Sequence, residues 1–404
     1  MNIKFQRAVD RLVGVPICFV LSQIDRLFRR QETIDNPRRI LIILLSEMGS
    51  LVLAQPMFSH LREKYPLAEL HVMLFAKNRE ILDLLGVVPE ANVITLDDRS
   101  LLNFIRDSWR AIWRTRSLKL DAVIDCELFS RVSSIFAYLS GARLLVGFHS
   151  HTQEGLYRGS FINRPVMYNP YRHLTLQFLT LTAALESSTY PLGKGLLPPA
   201  PKNPPYLHFA ASELEAVAAR LHADFPAVAN KPLILVSPSG GILPIRAWPL
   251  ASYKTLCSEL VAAGYAVAIV GLKGDRPIGE TLVAHCASEQ CINLTGWTRN
   301  VRELLALFHR AALLITNDGG PGQFAALTPT PSIVFFGPET PMLYRSLSEN
   351  AYNFHRPIAC SPCLTAYNHR NSPCDGDNQC LKQITPEEVL ERARSILGKP
   401  GGSL

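Results

Sequence analysis

At 404 residues, 48% of them hydrophobic and 19% charged, the chain is too long for one ordinary core and too apolar for a disordered protein; two globular domains are expected. The net charge of +7 favours anionic partners, yet no stretch is basic enough to mark a nucleic-acid-binding protein.

Residues 1–37 open basic and carry an apolar stretch from Leu12 to Leu21, interrupted by Pro16. That stretch is shorter than the roughly 20 apolar residues a membrane span needs. No small-x-small cleavage site follows it, which argues against a secretory signal. Arg7, Arg11, Arg26, Arg29 and Arg30 recur among apolar residues at helical spacing. The pattern predicts an amphipathic helix that either lies on an anionic membrane surface or packs on its own protein.

From residue 38 the chain alternates between strand and helix. Segments 38–46, 69–76, 92–96 and 121–126 are apolar runs of strand length, and 51–66 and 100–117 repeat apolar residues at helical spacing. Such alternation predicts a parallel sheet covered on both faces. The proline-rich stretch 191–209 cannot form a regular element and is read as a linker between a first domain, 38–190, and a second, 210–404. In the second domain, strands are expected at 233–241, 265–271, 312–318 and 332–337, and helices at 249–263, 276–288 and 301–310. A final helix over 385–397 carries the capping box of Thr385 and Glu388. The fold class is therefore α/β, two doubly wound Rossmann-like domains preceded by an amphipathic helix, without an internal sequence repeat.

Ligands of doubly wound sheets gather at the carboxyl ends of the strands. Four segments at such ends in the second domain are unusual. The stretch 237–249 offers Ser239, Gly240 and Gly241 and then Arg246, small residues plus a cation, which suits a diphosphate. In 270–277, Asp275 either accepts from a ribose hydroxyl or caps a helix. Thr295 and Gly296 stand at a turn in 292–298. In 313–326, Asp318 precedes Gly319 and Gly320. This is either a tight turn or a cradle in which the acid accepts from a sugar hydroxyl and the glycine amides face a diphosphate. Neither G-x-G-x-x-G nor the P-loop pattern occurs, which disfavours dehydrogenases and P-loop nucleotidases.

Of the nine cysteines, Cys18, Cys126, Cys257, Cys286 and Cys291 are scattered in apolar settings and are expected to be buried and inert. Cys360, Cys363, Cys374 and Cys380 cluster near the end, with His369 among them. The C-x₂-C pair is a good half of a structural zinc site, but the second pair is spaced too widely for the usual pattern; reduced thiols, or one local disulfide, are the other reading.

The run 313–341, with Asp318, Gly319, Gly320 and Gln323 followed by F-G-P-E-T-P, resembles the donor signature of family 9 glycosyltransferases, the heptosyltransferases of lipopolysaccharide core assembly. The likeness extends to 237–249, 293–311 and 40–66, most of residues 38 to 397. It implies a GT-B fold, with the nucleotide-diphosphate sugar held by the second domain and a lipid-linked glycan acceptor met mainly by the first. It also implies an inverting transfer with no required cofactor, by an enzyme peripheral on the cytoplasmic face of the inner membrane. By motif position, Asp318, Gly319 and Gly320 would hold the donor, and Arg246 stands for the family's phosphate-binding cation.

The chain departs from the family pattern where Gln323 replaces a His, Gly319 replaces a Ser or Thr, and Ser50 replaces an Asp that serves as the proposed base. Glu47, in the same strand-end loop as Ser50, is the carboxylate expected to act instead, unless it only stabilises a helix N-terminus. These departures leave a catalytically weakened nucleotide-sugar- or glycan-binding module as the alternative. An epimerase of the same fold would differ in needing no acceptor.

Overall fold

The computed structural model describes residues 3–28, 34, 36–45, 47–148, 157–197, 204, 206–365, 368 and 370–398. The chain divides into two compact units, Met1–Ala200 and Pro201–Leu404.

In the first unit, β1 (Arg39–Ile43), β2 (Glu69–Phe75), β3 (Val93–Leu96), β4 (Ala122–Asp125), β5 (Leu144–Phe148) and β6 (Arg164–Val166) form one sheet in the order β3-β2-β1-β4-β5-β6. Every neighbouring pair is parallel. In the second unit, β7 (Leu233–Ser237), β8 (Ala266–Gly271), β9 (Cys291–Thr295), β10 (Ala311–Asn317), β11 (Ser332–Phe336) and β12 (Ala351–His355) form another, in the order β12-β11-β10-β7-β8-β9, again parallel throughout. Counted from its own first strand, each sheet has the order 3-2-1-4-5-6, so one topology occurs twice without a repeat in sequence. The strand order reverses between β1 and β4, and between β7 and β10. Those two switch points are where a doubly wound sheet opens a crevice for a ligand.

The central strands are apolar because both faces are covered: β7 is buried throughout, and β1 is buried beyond Arg39. Helices Met48–Lys64, Leu101–Ser117, Leu250–Ala262, Arg276–Cys286, Val301–Arg310 and Pro386–Leu397 fall where the periodicity places them. Thr385 accepts from the Glu388 amide at 3.3 Å, and Glu388 accepts from the Thr385 amide at 3.1 Å, completing the capping box. Strands β5, β6, β9 and β12 were absent from the strands read from sequence. The signal was weak for β6, only three residues long, and for β12, which is largely half-buried, since neither shows a sustained apolar run.

The N-terminus differs from the single helix expected. It forms two helices, Ile3–Leu12 and Gly14–Phe28, broken at Val13. Pro16 does not interrupt the second, because a proline in the first turn has no hydrogen bond to lose. One side of this helix packs inward. Cys18 and Ser22 are buried, Ser22 and Tyr157 share a 3.0 Å hydroxyl contact, and Asp10 pairs with Arg131 at 3.1 Å. Leu12, Phe19, Val20 and Leu27 stay exposed. Arg29 and Arg30 lie outside the described residues.

Side chains fix the loops at both switch points. In the first unit, the residue after β1 that leads towards Glu47 is held on both of its backbone groups: the Leu45 amide donates to Glu127 Oε1 at 2.7 Å, and its carbonyl accepts from Asn78 Nδ2 at 2.8 Å. In the second, Asn317 at the end of β10 is buried. Its Nδ2 donates to the Pro238 carbonyl at 2.9 Å and the Ser239 carbonyl at 3.2 Å, and its Oδ1 accepts from the Trp248 amide at 2.8 Å and the Tyr253 hydroxyl at 3.0 Å. Burial pushes the Tyr253 pKa well above its ordinary value, so the hydroxyl remains a donor. Trp248 stacks on Phe335 at 4.6 Å and donates from Nε1 to the Ile384 carbonyl at 2.9 Å, tying the same loop to the core and to the turn that leads into the last helix.

Replacing Asn317 by Ala strands several buried donors and acceptors at once, so Asn317→Ala should lower unfolding free energy by about 2–4 kcal/mol. Tyr253→Phe, which leaves Asn317 Oδ1 with the Trp248 amide, should cost about 1 kcal/mol. Denaturant unfolding of the two variants checks the ratio; equal losses would show that the carboxamide is not the hub.

Candidate functional site

The loop after β7 and the turn after β10 meet at the switch point of the second sheet. Arg246 ends a short helical turn, Pro244–Arg246, in the first of these, and Asp318 follows β10 directly. Both side chains are buried, and Arg246 Nη1 lies 3.8 Å from Asp318 Oδ2 and 3.4 Å from the Asp318 carbonyl. Burying a cation this deeply at a strand end is costly unless an anion faces it, and here Asp318 supplies one.

The glycines fall into two kinds. Gly240 is demanded by its surroundings, since a Cβ there would come within 2.8 Å of the Leu243 carbonyl oxygen and 2.9 Å of that of Pro244. Gly296, at φ +70°, would drive a Cβ to 2.5 Å from Lys273 Cγ. Gly319 and Gly320 have no such reason. Gly319 is extended, at φ 169°, a conformation any residue adopts, and a Cβ there would meet only the Asn317 carbonyl, at 3.9 Å. At Gly320 the nearest atoms are on the Phe324 ring, at 3.4 Å. The tight-turn account of these two glycines therefore lacks the positive φ it needs, and the space beside Gly319 is open.

The other expected donor residues have these places. Ser239 Oγ accepts from the Gly241 amide at 3.2 Å, shaping the loop that carries Arg246. Asp275 closes its own turn, Oδ2 accepting from the Leu272 amide at 2.8 Å, and makes no side-chain capping bond to the helix Arg276–Cys286 that it precedes. Thr295 donates from Oγ1 to Asn293 Oδ1 at 2.7 Å, and the Gly296 amide donates to the Gly271 carbonyl at 2.9 Å, joining the ends of β8 and β9. Gln323 is buried in the short helix Gly320–Phe324. Its Nε2 donates to the Tyr344 carbonyl at 2.7 Å, while its Oε1 finds no hydrogen-bond partner among the described residues.

In the first unit, Glu47 occupies the residue before helix Met48–Lys64, half-buried, and its carboxylate makes no capping bond to that helix. Ser50 lies in the first turn. Sequence reasoning missed Glu127, two residues past β4 and buried, whose carboxylate fixes Leu45. The register that sets Asp125 opposite Ile43 brings Glu127 to this loop. An acid just past the apolar run 121–126 was the available signal.

Of the two readings of the terminal cysteines, the zinc site finds no support among the described residues. Among the described residues, no group of three or more His, Cys, Asp or Glu is arranged to hold a metal ion. Cys363 Sγ accepts from the Ser372 hydroxyl at 3.1 Å, Cys374 is exposed with Sγ 3.5 Å from Asn378 Oδ1, and Cys380 is buried. His369 lies outside the described residues. Three of the remaining cysteines are gathered rather than scattered: Cys286, half-buried, packs against the core cluster that holds Cys257 and Cys291.

The model of glycosyltransferase family 9 (heptosyltransferase) matches residues 109–372. Lipopolysaccharide heptosyltransferase 2 of Salmonella typhimurium is 26% identical over 374 residues, covering 90% of this chain and 99% of its own. Lipooligosaccharide heptosyltransferase 2 of Haemophilus ducreyi is 25% identical over 364 residues, covering 89% and 99%. The solved structure of E. coli ADP-heptose lps heptosyltransferase II has the same fold, with a TM-score of 0.68 at 23% identity, over 89% of this chain and 98% of that one. Its fold and the twin parallel sheets agree with the GT-B type. With its two Rossmann-like sheets and a family match spanning more than half its length, the chain belongs to glycosyltransferase family 9, the heptosyltransferases.

Proposed function

We propose that this enzyme transfers heptose from ADP-heptose to a lipopolysaccharide core acceptor, with inversion, at the cytoplasmic face of the inner membrane. The observation that carries the donor reading is the buried Arg246–Asp318 pair beside two glycines that the chain's own geometry does not require. The relatives' names supply the sugar and the nucleotide.

In this reading Arg246 and the Gly319 and Gly320 amides take the donor diphosphate, and Asp318 accepts from a sugar hydroxyl. The acceptor oxygen attacks the anomeric carbon as the bond to the diphosphate breaks, its electron pair leaving on the phosphate oxygen. Glu47 takes the proton of the acceptor hydroxyl. A fixed cation and oriented amides neutralise the leaving group, which supports a transfer that needs no cofactor. Among the described residues no helix is long and apolar enough to cross a membrane, so the attachment proposed is peripheral. The exposed Phe19, Val20 and Leu27 of the N-terminal helices support contact with an anionic membrane surface.

Thermal shift tests the donor: ADP-heptose at a hundredfold excess over its dissociation constant should stabilise the protein by about 2.7 kcal/mol, and UDP-sugars should do far less. Asp318→Ala should lose roughly 10–100-fold in kcat/KM, the worth of a hydrogen bond to a charged group, and some stability as well, because Arg246 stays buried without its carboxylate. Normal turnover there would sink the donor assignment. Glu47→Gln should keep donor binding and lose about 10²–10⁴ in kcat. Glu127→Gln, which still accepts from the Leu45 amide, should lose much less. The reverse ranking would move the base to Glu127, and a wild-type protein that binds donor without any turnover would favour a binding module.

A further inference from the structure

The helix Leu101–Ser117 has two apolar faces. Phe104, Ala111, Ile112 and Thr115 turn inward, packed on or within the core of the first unit. On the opposite face, Leu102 is 80% exposed, Ile105 56%, Trp109 64% and Trp113 62%. At 100° per residue, Leu102, Trp109, Trp113 and Arg116 fall within an arc of about 60°, roughly opposite Phe104 and Ala111. The stripe runs about 16 Å from Leu102 to Trp113. Trp109 and Trp113 touch only edge to face, at 5.9 Å, so their outer surfaces stay open. Two tryptophans held in water on a structured helix are a standing cost unless something covers them.

Cations accompany the stripe. Arg106 and Arg110 alternate with its apolar residues and are mostly exposed. Arg116, in line with Trp109, opens into a cavity of about 410 Å³ lined by Arg39, Arg116, Lys119 and Arg143 with a single carboxylate, Asp121. That carboxylate is already engaged: it accepts from the Arg38 and Arg39 amides at 2.7 and 3.0 Å and from Arg143 at 3.3 Å. The cavity therefore presents a net positive charge at the end of an aromatic stripe. Gln6 of the first helix donates to Asp98, just ahead of the stripe, at 3.2 Å, which ties that helix to the segment from which the stripe starts.

We infer that the outer face of helix Leu101–Ser117 docks on an anionic lipid bilayer, with Leu102, Ile105, Trp109 and Trp113 in the headgroup–acyl boundary and a lipid phosphate in the Arg116–Lys119 cavity. The chemistry selects this occupant. Tryptophan favours the membrane–water boundary, where its ring is apolar and its N–H is wet, and interleaved arginines match anionic headgroups. The helix returns antiparallel to its strands, so a bilayer under it lies along the strands of the first sheet, with the strand-end loop of Glu47 to one side of the contact. The inference deepens the membrane-surface part of the proposed function and assigns it a face; its geometry does not depend on the sugar transferred.

Vesicle sedimentation of the full-length protein tests it, using phosphatidylcholine vesicles with and without phosphatidylglycerol. Wild type should bind the anionic vesicles and barely bind the neutral ones. Acyl-brominated lipids should quench its tryptophan fluorescence. Trp109→Ser with Trp113→Ser should weaken binding by at least about tenfold, since two aromatic side chains leave the boundary. Arg116→Gln with Lys119→Gln should weaken binding to the anionic vesicles by about fivefold per charge and leave the neutral arm unchanged. Thermal unfolding and transfer to a soluble, delipidated acceptor should be unaffected in both variants. Undiminished binding by the tryptophan variant overturns the inference, as does a wild-type dimer in vesicle-free solution that the tryptophan variant dissolves, because the occupant is then a second copy. A wild type that binds vesicles but transfers no heptose would sink the proposed reaction and leave the docking face standing.

Discussion

Everything at the switch point of the second sheet hangs on one carboxamide. Asn317 closes β10, and it is also the point at which the loop after β7 is sewn down through two carbonyls, one amide and one hydroxyl. Without it, the loop of Arg246 would keep only its own turn and the bond from Asn378 Nδ2 to the Ile245 carbonyl, at 2.6 Å. A buried group that satisfies four partners at once must be in one place, and so must they. The stacking of Trp248 on Phe335 and its bond to the Ile384 carbonyl carry that order into the core and the turn before the final helix.

The first domain solves the same problem with different chemistry. There the loop after β1 is clamped at a single residue, Leu45, whose amide and carbonyl are taken by Glu127 and Asn78 from the strands on either side. The same strand order thus produces the same need twice. Where the order reverses, adjacent loops diverge, and the backbone that borders the gap has no ladder to complete, so side chains from neighbouring strand ends complete it.

How far the sequence could be read follows from the range of each interaction. Periodicity and local caps act within a few residues, so the main helices, the central strands and the Thr385–Glu388 box were legible. The strand-end positions of Arg246 and Asp318 were legible too, because a strand end follows from its strand. The partners of Asn317 and Glu127 were not, since they depend on which strands become neighbours. Asp275 had two readings within one turn, and its carboxylate is turned back onto the Leu272 amide rather than forward onto the helix it precedes. Helix Leu101–Ser117 was readable as a helix, but its surplus apolar face emerged only once the sheet claimed the other one. The cysteine tail shows the converse: residues close in sequence do not make a ligand set unless the backbone turns them towards a common point.

The pairing of Arg246 with Asp318 bears on selectivity. A guanidinium that already shares its charge with a carboxylate is a poor trap for small stray anions, because each newcomer gains only the difference between two attractions and must also tolerate the acid. Inorganic phosphate brings charge but no sugar hydroxyl for Asp318 to accept from. A ligand that couples a phosphate to a neighbouring hydroxylated ring satisfies both members of the pair together. On the proposed donor reading, the pair would therefore work as a coincidence detector, nearly silent to charge alone and to sugar alone, and responding when one molecule carries both at the right spacing.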